Sequence, residues 1–394
     1  MLVRREIPVG SIWAKEILAG ITVALAMVPE ALAFSIIAGV PPVLGLYSAF
    51  FLGFITSVFG GRPGMISGAT GAVAIGLASL TKAYGLEYLF ATVILAGTIQ
   101  VIFGLLKLGD LIRLIQPPVM TGFVNGLAII IFTSQLQHFR SFSGGHQQWL
   151  TPPELLTTTG LVTLSIITVL WFGKITKLVP SSLAAIIITF LFIAITGIQT
   201  KAVGDIAELG SGMARFHLPA IPFSLHTLRI ILPYALVMAG ISLTESLLTL
   251  NLVSDLTKTG GHPNRDTIVQ GCANIVSGLF SGMGGCAMLG QSLLNYSAGG
   301  RKRFSGITAA LVLLIIILAL HALIEKIPIA ALTGVMFVIA IRTFKWDSLQ
   351  LILKGPRKDS VIMITVTLIT VISNNLALAV LVGVVLTKMI KPGK

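Results

Sequence analysis

The sequence predicts an all-α membrane protein of about fourteen transmembrane segments, folded as two seven-span halves of opposite orientation. Three observations predict it. The chain of 394 residues is 55% hydrophobic and only 10% charged, where a soluble domain carries about 25% charged residues. Its mean hydropathy is +0.96. Its basic residues alternate in density from one side of the apolar runs to the other. Finally, a carboxylate deep in an apolar run, followed some forty residues later by a Gly-rich stretch, occurs once in each half. The runs are near-continuous rather than alternating over about ten residues, which selects helices over a barrel.

Breaks at Gly, Pro and charged residues divide the chain into approximate spans at 16–38, 43–60, 70–84, 87–107, 117–137, 157–173, 181–198, 229–252, 265–281, 287–298, 304–323, 327–343, 359–373 and 375–390. A full crossing takes about 20 helical residues, so several spans are too short to cross alone, and spans 3 and 10 and the division between 13 and 14 are the least sharply defined. The N-terminal "MLVRREIPVGSIWAKE" is too polar for the apolar region of a cleavable signal peptide, and the first apolar run is long enough to span. An inner-membrane, multi-pass protein with both termini cytoplasmic is expected.

Charge tests that topology. With the N-terminus inside, only Lys82, Arg140, Lys201, Arg215, Arg229 and Lys326 fall outside, which leaves 21 of the 27 Lys and Arg on the cytoplasmic side. Adding or dropping one early span destroys the split. The net charge of +13 is therefore read as a topology signal and a match to the lipid bilayer, not as a nucleic-acid surface. Cys272 and Cys286 are too few for a disulfide framework and read as structural free thiols in apolar surroundings.

Of the 14 acidic residues, only Glu30 and Glu245 fall deep inside spans. An intramembrane carboxylate is costly and marks a functional site, the bland rival being a hydrogen-bonded structural carboxyl. "ALAMVPEALAF" around Glu30 corresponds to "AGISLTESLLT" around Glu245, and "GRPGMISGATGAVAIG" to "SGMGGCAMLGQSLLN". Two halves of seven spans each insert with opposite orientation. Short or Gly-interrupted segments at matching positions of such repeats point to a substrate site.

Segments 66–84 and 284–298 read as half-helices starting near the membrane midplane, each led in by a short extended stretch, "GMIS" or "GGCAM". Helix N-termini carry unpaired N–H groups and about half a positive charge, so two facing N-termini hold an anion without Lys or Arg. Gly68 and Gly71 let the backbone approach a ligand closely, and Ser67 and Thr70 add hydroxyl donors. The rival use of the glycines is tight helix packing. Pro29, beside Glu30, is expected to free a carbonyl and bend span 1.

These residues carry a resemblance. "VALAMVPEALAFSIIAGVPPVLGLYSAF" followed by "ISGATGAVA" closely resembles the sulfate permease family, bacterial relatives of the animal solute-carrier-26 anion transporters. "IQPPVMTGFVNGLAIIIFTSQL", "DLTKTGGHPNRDTIVQGCANIVSGLFSGMGG" and "SAGGRKRFSG" support it, and it covers nearly the whole chain. The resemblance implies a uracil-permease-like fold of seven plus seven inverted helices. A core of spans 1–4 and 8–11, at about 10–110 and 229–323, would move against a gate of spans 5–7 and 12–14, at about 111–228 and 324–390. Substrate is expected between the N-termini of spans 3 and 10. Carried over by position, Glu30 and Phe34 face it from span 1, Thr70 opens span 3, and Ala287, Met288 and Leu289 open span 10. Glu245 and Thr249 match the span 8 positions where sodium-coupled relatives place an acid and a threonine.

Two departures stand out. Many animal members carry a Ser-Arg pair at the start of span 10, where this chain has Gly290 and Gln291, which puts chloride-exchange behaviour in doubt. Members usually add a soluble C-terminal STAS domain, whereas this sequence stops at "KMIKPGK", so a truncated chain is expected in preference to a shorter member. A homodimer is an expectation chiefly for the full-length protein.

The function expected is secondary active symport of a small inorganic anion or dicarboxylate — sulfate, bicarbonate, chloride or a dicarboxylate — with H+, or alternatively Na+, as coupling ion and no other cofactor. Burial raises a carboxyl's pKa, so Glu30 and Glu245 suit proton exchange; Glu245 with Thr249 equally suits sodium. Anion exchange, a passive anion channel and a nucleobase permease stay open as alternatives. No GxxxxGK[ST] loop supports ATP drive, and no HExxH or nucleophile elbow supports an enzyme.

Overall fold

The computed structural model describes residues 12–107, 116–143, 146–175, 179–205, 214–373 and 376–390. Arg4, Arg5, Arg113, Lys177, Lys391 and Lys394, which contribute to the charge reading, lie outside these described residues. In chain order the helices are α1 (Ile12–Ala38), α2 (Pro42–Phe59), α3 (Gly71–Tyr84), α4 (Leu86–Leu105), α5 (Pro117–Gln135), α6 (Pro152–Ile175), α7 (Ser181–Thr196) and α8 (Leu225–Thr257). They continue with α9 (Pro263–Leu279), α10 (Leu289–Ala298), α11 (Arg303–Ala319), α12 (His321–Glu325), α13 (Ile329–Thr343), α14 (Asp347–Lys354), α15 (Arg357–Ser373) and α16 (Leu376–Ile390). Strand β1 (Ser67–Gly68) precedes α3, β2 (Arg140–Ser143) and β3 (His146–Trp149) form a hairpin between α5 and α6, and β4 (Cys286–Ala287) precedes α10.

Each of the fourteen apolar runs contains a helix. Six of the described helices are by themselves long and apolar enough to cross a membrane, and two bent pairs, α10 with α11 and α13 with α14, raise that to eight. The order helix, helix, two-residue strand, short helix, helix occurs twice, at α1–α4 and α8–α11. At 1.5 Å per residue, α10 with its 10 residues reaches about 15 Å, half the hydrocarbon thickness. α1 runs through Pro29 as one unbroken helix.

The structure departs from the expected boundaries where polar groups complete a helix end. α8 has 33 residues and extends past 252, where Arg62, from the α2–β1 loop, binds its last turn and the residues just after it. The Arg62 guanidinium donates to Val253 O at 3.2 Å, Thr259 O at 2.5 Å, Gly260 O at 2.7 Å and the Thr257 hydroxyl. α6 starts at Pro152 rather than 157, with the Glu154 carboxylate reaching back to Thr151: the Thr151 N–H and hydroxyl both donate to Glu154 Oε2, at 3.1 and 2.8 Å. The β2–β3 hairpin and the amphipathic α14 are additions to the expected all-α pattern.

Two groups of helices emerge from the packing. α1–α4 pack with α8–α11, and α5–α7 pack with α13, α15 and α16. The first group is tied internally by buried charges that cap neighbouring helices. Glu16 of α1 accepts from the N–H groups of Arg301, Lys302 and Ser305 at the start of α11, at 2.7, 3.0 and 3.0 Å. Arg303 donates to the last carbonyls of α2, Ser57 O and Val58 O, and to Gly60 O. Arg62, Arg265, Arg301, Lys302 and Arg303 thus share one end of this group, in keeping with a single basic face. Glu87 at the start of α4 makes the corresponding tie in the other half, accepting from His217 Nε2 at 2.9 Å and Ala220 N at 2.6 Å ahead of α8. One apolar cluster, including Met27 and Phe34 of α1, Phe123 of α5 and Met336 of α13, runs across both groups.

The two strands pair with each other, β1 antiparallel to β4, with Ser67 opposite Ala287 and Gly68 opposite Cys286. A Cβ on Gly285 would stand 2.0 Å from Gly68 O, so no larger residue fits there. Gly285→Ala is expected to cost about 3 kcal/mol or more by overpacking, while Gly240→Ala, with no neighbour within 4 Å, is expected to keep or slightly raise stability. Thermal unfolding of the detergent-solubilised variants, followed by size-exclusion chromatography, checks the contrast; equal melting temperatures contradict it.

Candidate anion site between two helix N-termini

The β1–β4 pair places the N-termini of α3 and α10 beside each other in the middle of the first helix group. Thr70 is the N-cap of α3, with φ −124° and ψ 149°, and Met288 that of α10, with φ −102° and ψ 110°. Neither side chain caps its own helix. The first helical bond of α3 runs from Ala74 N to Thr70 O at 3.0 Å, and that of α10 from Ser292 N to Met288 O at 2.9 Å. The N–H groups of Gly71, Ala72 and Val73, and of Leu289, Gly290 and Gln291, therefore precede each ladder and present the positive ends of two dipoles.

Irregular backbone at this depth survives only where protein satisfies it, and side chains of the surrounding helices do so. Asn274 of α9 accepts from Gly285 N at 2.9 Å and donates to Gly285 O at 3.2 Å and to Gln100 Oε1 at 2.9 Å. Ser242 of α8 donates to Gly285 O at 3.0 Å, and Ser246 accepts from Ala287 N at 3.1 Å. Ser48 of α2 accepts from Met283 N at 2.8 Å. On the β1 side, Ser292 of α10 accepts from Ile66 N at 3.0 Å and Asn295 donates to Gly64 O at 2.9 Å. Each half of the repeat thus holds backbone of the other.

The sequence-predicted residues divide between site and scaffold. Glu30 of α1, half-buried, lies beside Gln291 in the first turn of α10. Phe34, one turn on, lies against the first turn of α3: a Cβ on Gly71 would meet its ring at 2.7 Å. Glu245 of α8, also half-buried, accepts from Cys286 Sγ at 2.7 Å, and that sulfur lies 3.2 Å from Thr70 Oγ1. Gly68 sits beneath Met27 and Met288, and Thr249, one turn after Glu245, is fully buried. Ser67, expected to offer its hydroxyl at the α3 terminus, instead donates to Gln270 of α9 at 3.2 Å. Ala287 contributes backbone to the strand pair, and the Leu289 side chain is 39% exposed on the first turn of α10. Cys286 is not in apolar surroundings; Cys272 is exposed on α9.

Sequence reasoning missed Gln270, Asn274 and Ser277, buried at i, i+4 and i+7 of α9. Three polar residues on one face of an apolar helix were the available signal. It also missed Gln291 as the neighbour of Glu30. No Lys or Arg is among the hydrogen-bond partners of these site residues, so the cationic character comes from backbone. Among the described residues no group of three or more His, Cys, Asp and Glu is placed to hold a metal ion. A cavity of about 540 Å³ lies elsewhere, between the α5–α6 and α7–α8 connections and the start of α13, beside Arg140 and Lys201.

Replacing Asn274 with Ala leaves the Gly285 N–H unpaired and should cost about 1–3 kcal/mol. A melting temperature equal to that of the wild type would contradict the scaffold role.

Known proteins resemble this chain in sequence and fold. The family model described as "Sulfate permease family" matches residues 13–366. The chain is 43% identical over 373 residues to YbaR of Bacillus subtilis, provisionally named a sulfate transporter, covering 95% of this chain and 76% of that protein. It is 32% identical over 390 residues to the bicarbonate transporter BicA of Picosynechococcus, covering 94% and 68%. The solved transmembrane domain of a cyanobacterial BicA superposes with TM-score 0.82 at 30% identity, covering 94% of this chain and 98% of that one. SLC26A9 shares the fold with TM-score 0.80 at 18% identity, covering 98% and 66%. The chain is a multi-pass membrane transporter and belongs to the sulfate permease family.

Proposed function

We propose that this protein is a proton-coupled symporter of a small inorganic anion, which binds between the N-termini of α3 and α10. The observation that carries the reading is the convergence of two unpaired helix N-termini and two half-buried carboxylates, Glu30 and Glu245, on one strand pair. The relatives' names, sulfate and bicarbonate transporters, support an oxyanion as the proposed substrate. An ionised carboxylate beside the site repels an anion; protonation removes the repulsion, so proton and anion favour each other's binding.

The fourteen helical segments fit seven plus seven inverted spans, with the basic end of the first group cytoplasmic by the positive-inside rule. α1–α4 with α8–α11 form a core, and α5–α7 with α13–α16 a gate. α1 touches α7 and α13, α3 touches α5, and α8 touches α16, so the site-bearing helices also face the gate. An apolar contact surface suits sliding of one group past the other, which exposes the site to each side in turn.

Sodium is the second reading, because Thr249 stands one turn from Glu245. The thiol on Glu245 Oε2 favours the proton: a hydrogen-bond donor occupies the oxygen that a cation would take.

Uptake of labelled sulfate, bicarbonate, fumarate and chloride into proteoliposomes tests this. An inward proton gradient should drive concentrative uptake of at least one oxyanion without sodium. Glu30→Gln should fold normally and lose that accumulation, and Glu245→Gln should weaken it. Concentrative uptake by Glu30→Gln at the wild-type level, or a strict sodium requirement in the wild type, would overturn proton coupling.

A further inference from the structure

We propose that Cys286 is a hydrogen-bond relay that carries the protonation state of Glu245 on α8 to the hydroxyl of Thr70 at the N-terminus of α3, and so sets how tightly the site holds its anion. The relay rests on the proton-coupled reading above and names the residues through which coupling acts.

Cys286 is fully buried and fixed in β4 opposite Gly68. Its sulfur touches Glu245 Oε2 at 2.7 Å on one side and Thr70 Oγ1 at 3.2 Å on the other. Thr70 belongs to the first repeat, Glu245 and Cys286 to the second. A thiol has one hydrogen and a weak acceptor sulfur, as a hydroxyl has one hydrogen and acceptor lone pairs. The directions of the two bonds are therefore linked.

With Glu245 ionised, the carboxylate only accepts. The Cys286 S–H must donate to it, and the Thr70 O–H is drawn onto the sulfur, away from any ligand. When one proton enters on Glu245, its O–H donates to the sulfur. The S–H rotates to donate to Thr70 Oγ1, and the Thr70 hydrogen is released beside the unpaired N–H groups of Gly71 to Val73. No proton leaves the thiol; one is gained by Glu245, and two hydrogens, those of Cys286 and Thr70, change direction. By reciprocity, an anion held by Thr70 raises the proton affinity of Glu245.

Other ionisable groups do not contact this pair. Glu30 meets Gln291 instead. On the elements packed against α8, Glu87 is held by His217, Asp266 by Gly61 N, Arg265 by Phe59 O and Tyr296 by Leu256 O. Lys82, Tyr84, Cys272 and Lys388 are exposed, and Tyr88 packs on Tyr84. On α8 itself, His226, Arg229, Tyr234 and Asp255 lie ten or more residues from Glu245 along the helix, about 15 Å or more away.

Sulfate binding to the detergent-solubilised chain at mildly acidic and mildly alkaline pH tests the relay. The wild type should bind about tenfold more tightly in acid, the worth of one hydrogen bond to a charged ligand. Cys286→Ser, which keeps the donor and acceptor, should retain that ratio; Cys286→Ala should reduce it to less than about twofold. Glu245→Gln, whose amide donates to the sulfur at any pH, should bind tightly at both. A wild-type ratio near one, no sulfate binding at all, or a full ratio in Cys286→Ala overturns the proposal. Infrared spectroscopy of the Cys272→Ala chain gives a readout independent of the anion and of whether Cys286→Ala folds. The Cys286 S–H band should shift with pH and stay fixed in Glu245→Gln; a band that ignores pH in both overturns the relay. Proton-driven uptake with pH-independent binding sinks the relay alone. A working relay without proton-driven uptake sinks the symport reading alone.

Discussion

A lipid bilayer offers no hydrogen-bond partner to a peptide group. Two stretches of this chain nevertheless leave the helical state at membrane depth, residues 66–70 and 283–288, and expose N–H and C=O groups that a helix would pair. The cost of orphaning them is several kcal/mol per group. The chain solves the problem by pairing the two stretches with each other as β1 and β4 and surrounding them with serine, asparagine and glutamine from α2, α8, α9 and α10. Every other feature of the site depends on that pairing. It sets α3 and α10 side by side, leaves their first N–H groups unpaired, and fixes Cys286 between Thr70 and Glu245.

Satisfying the strands with side chains from both repeats has a mechanical consequence. Asn274 and Ser246 grip the β4 segment from its own repeat, Ser292 and Asn295 grip the β1 segment from the opposite one, Glu16 caps α11, and Arg62 binds the chain at and just after the end of α8. The first group of helices is therefore cross-linked by polar bonds through its centre and at one end. The second group is tied within itself, by Asn125 to Ser348 and Ser165 to Ala331 O, while an apolar cluster spans the two. Two groups of helices with a greasy seam are what the proposed alternating access requires, and the candidate site is built from helices of the first group.

Much of this was legible in the sequence. Length and hydropathy place the helices because a membrane span is defined by its apolar content. Glu30 and Glu245 stand out because an intramembrane acid is rare. Short apolar runs behind Gly-rich stretches locate α3 and α10. What stayed hidden depends on contacts between residues far apart in the chain. Ser67 has the composition of an anion ligand, yet its hydroxyl faces Gln270. Gln291 reads as the loss of a positive charge, yet it lies beside Glu30. Cys286 reads as a small apolar residue until β pairing sets it against an acid and a hydroxyl. α8 runs past its apolar stretch, and Arg62, from a distant loop, binds the chain at and just beyond its end. Local propensity carries none of these, since each needs the repeat to be folded back on itself.

The central claim is that backbone N–H groups at two helix termini, and not a lysine or arginine, hold the substrate. Anomalous diffraction from crystals grown with selenate, a tetrahedral oxyanion like sulfate, tests it most directly. The anion should appear between the N-termini of α3 and α10, within reach of Thr70 and the Gly71 N–H and beside Glu30. Selenate found only in the cavity beside Arg140 and Lys201, with nothing between the helix termini, would contradict it.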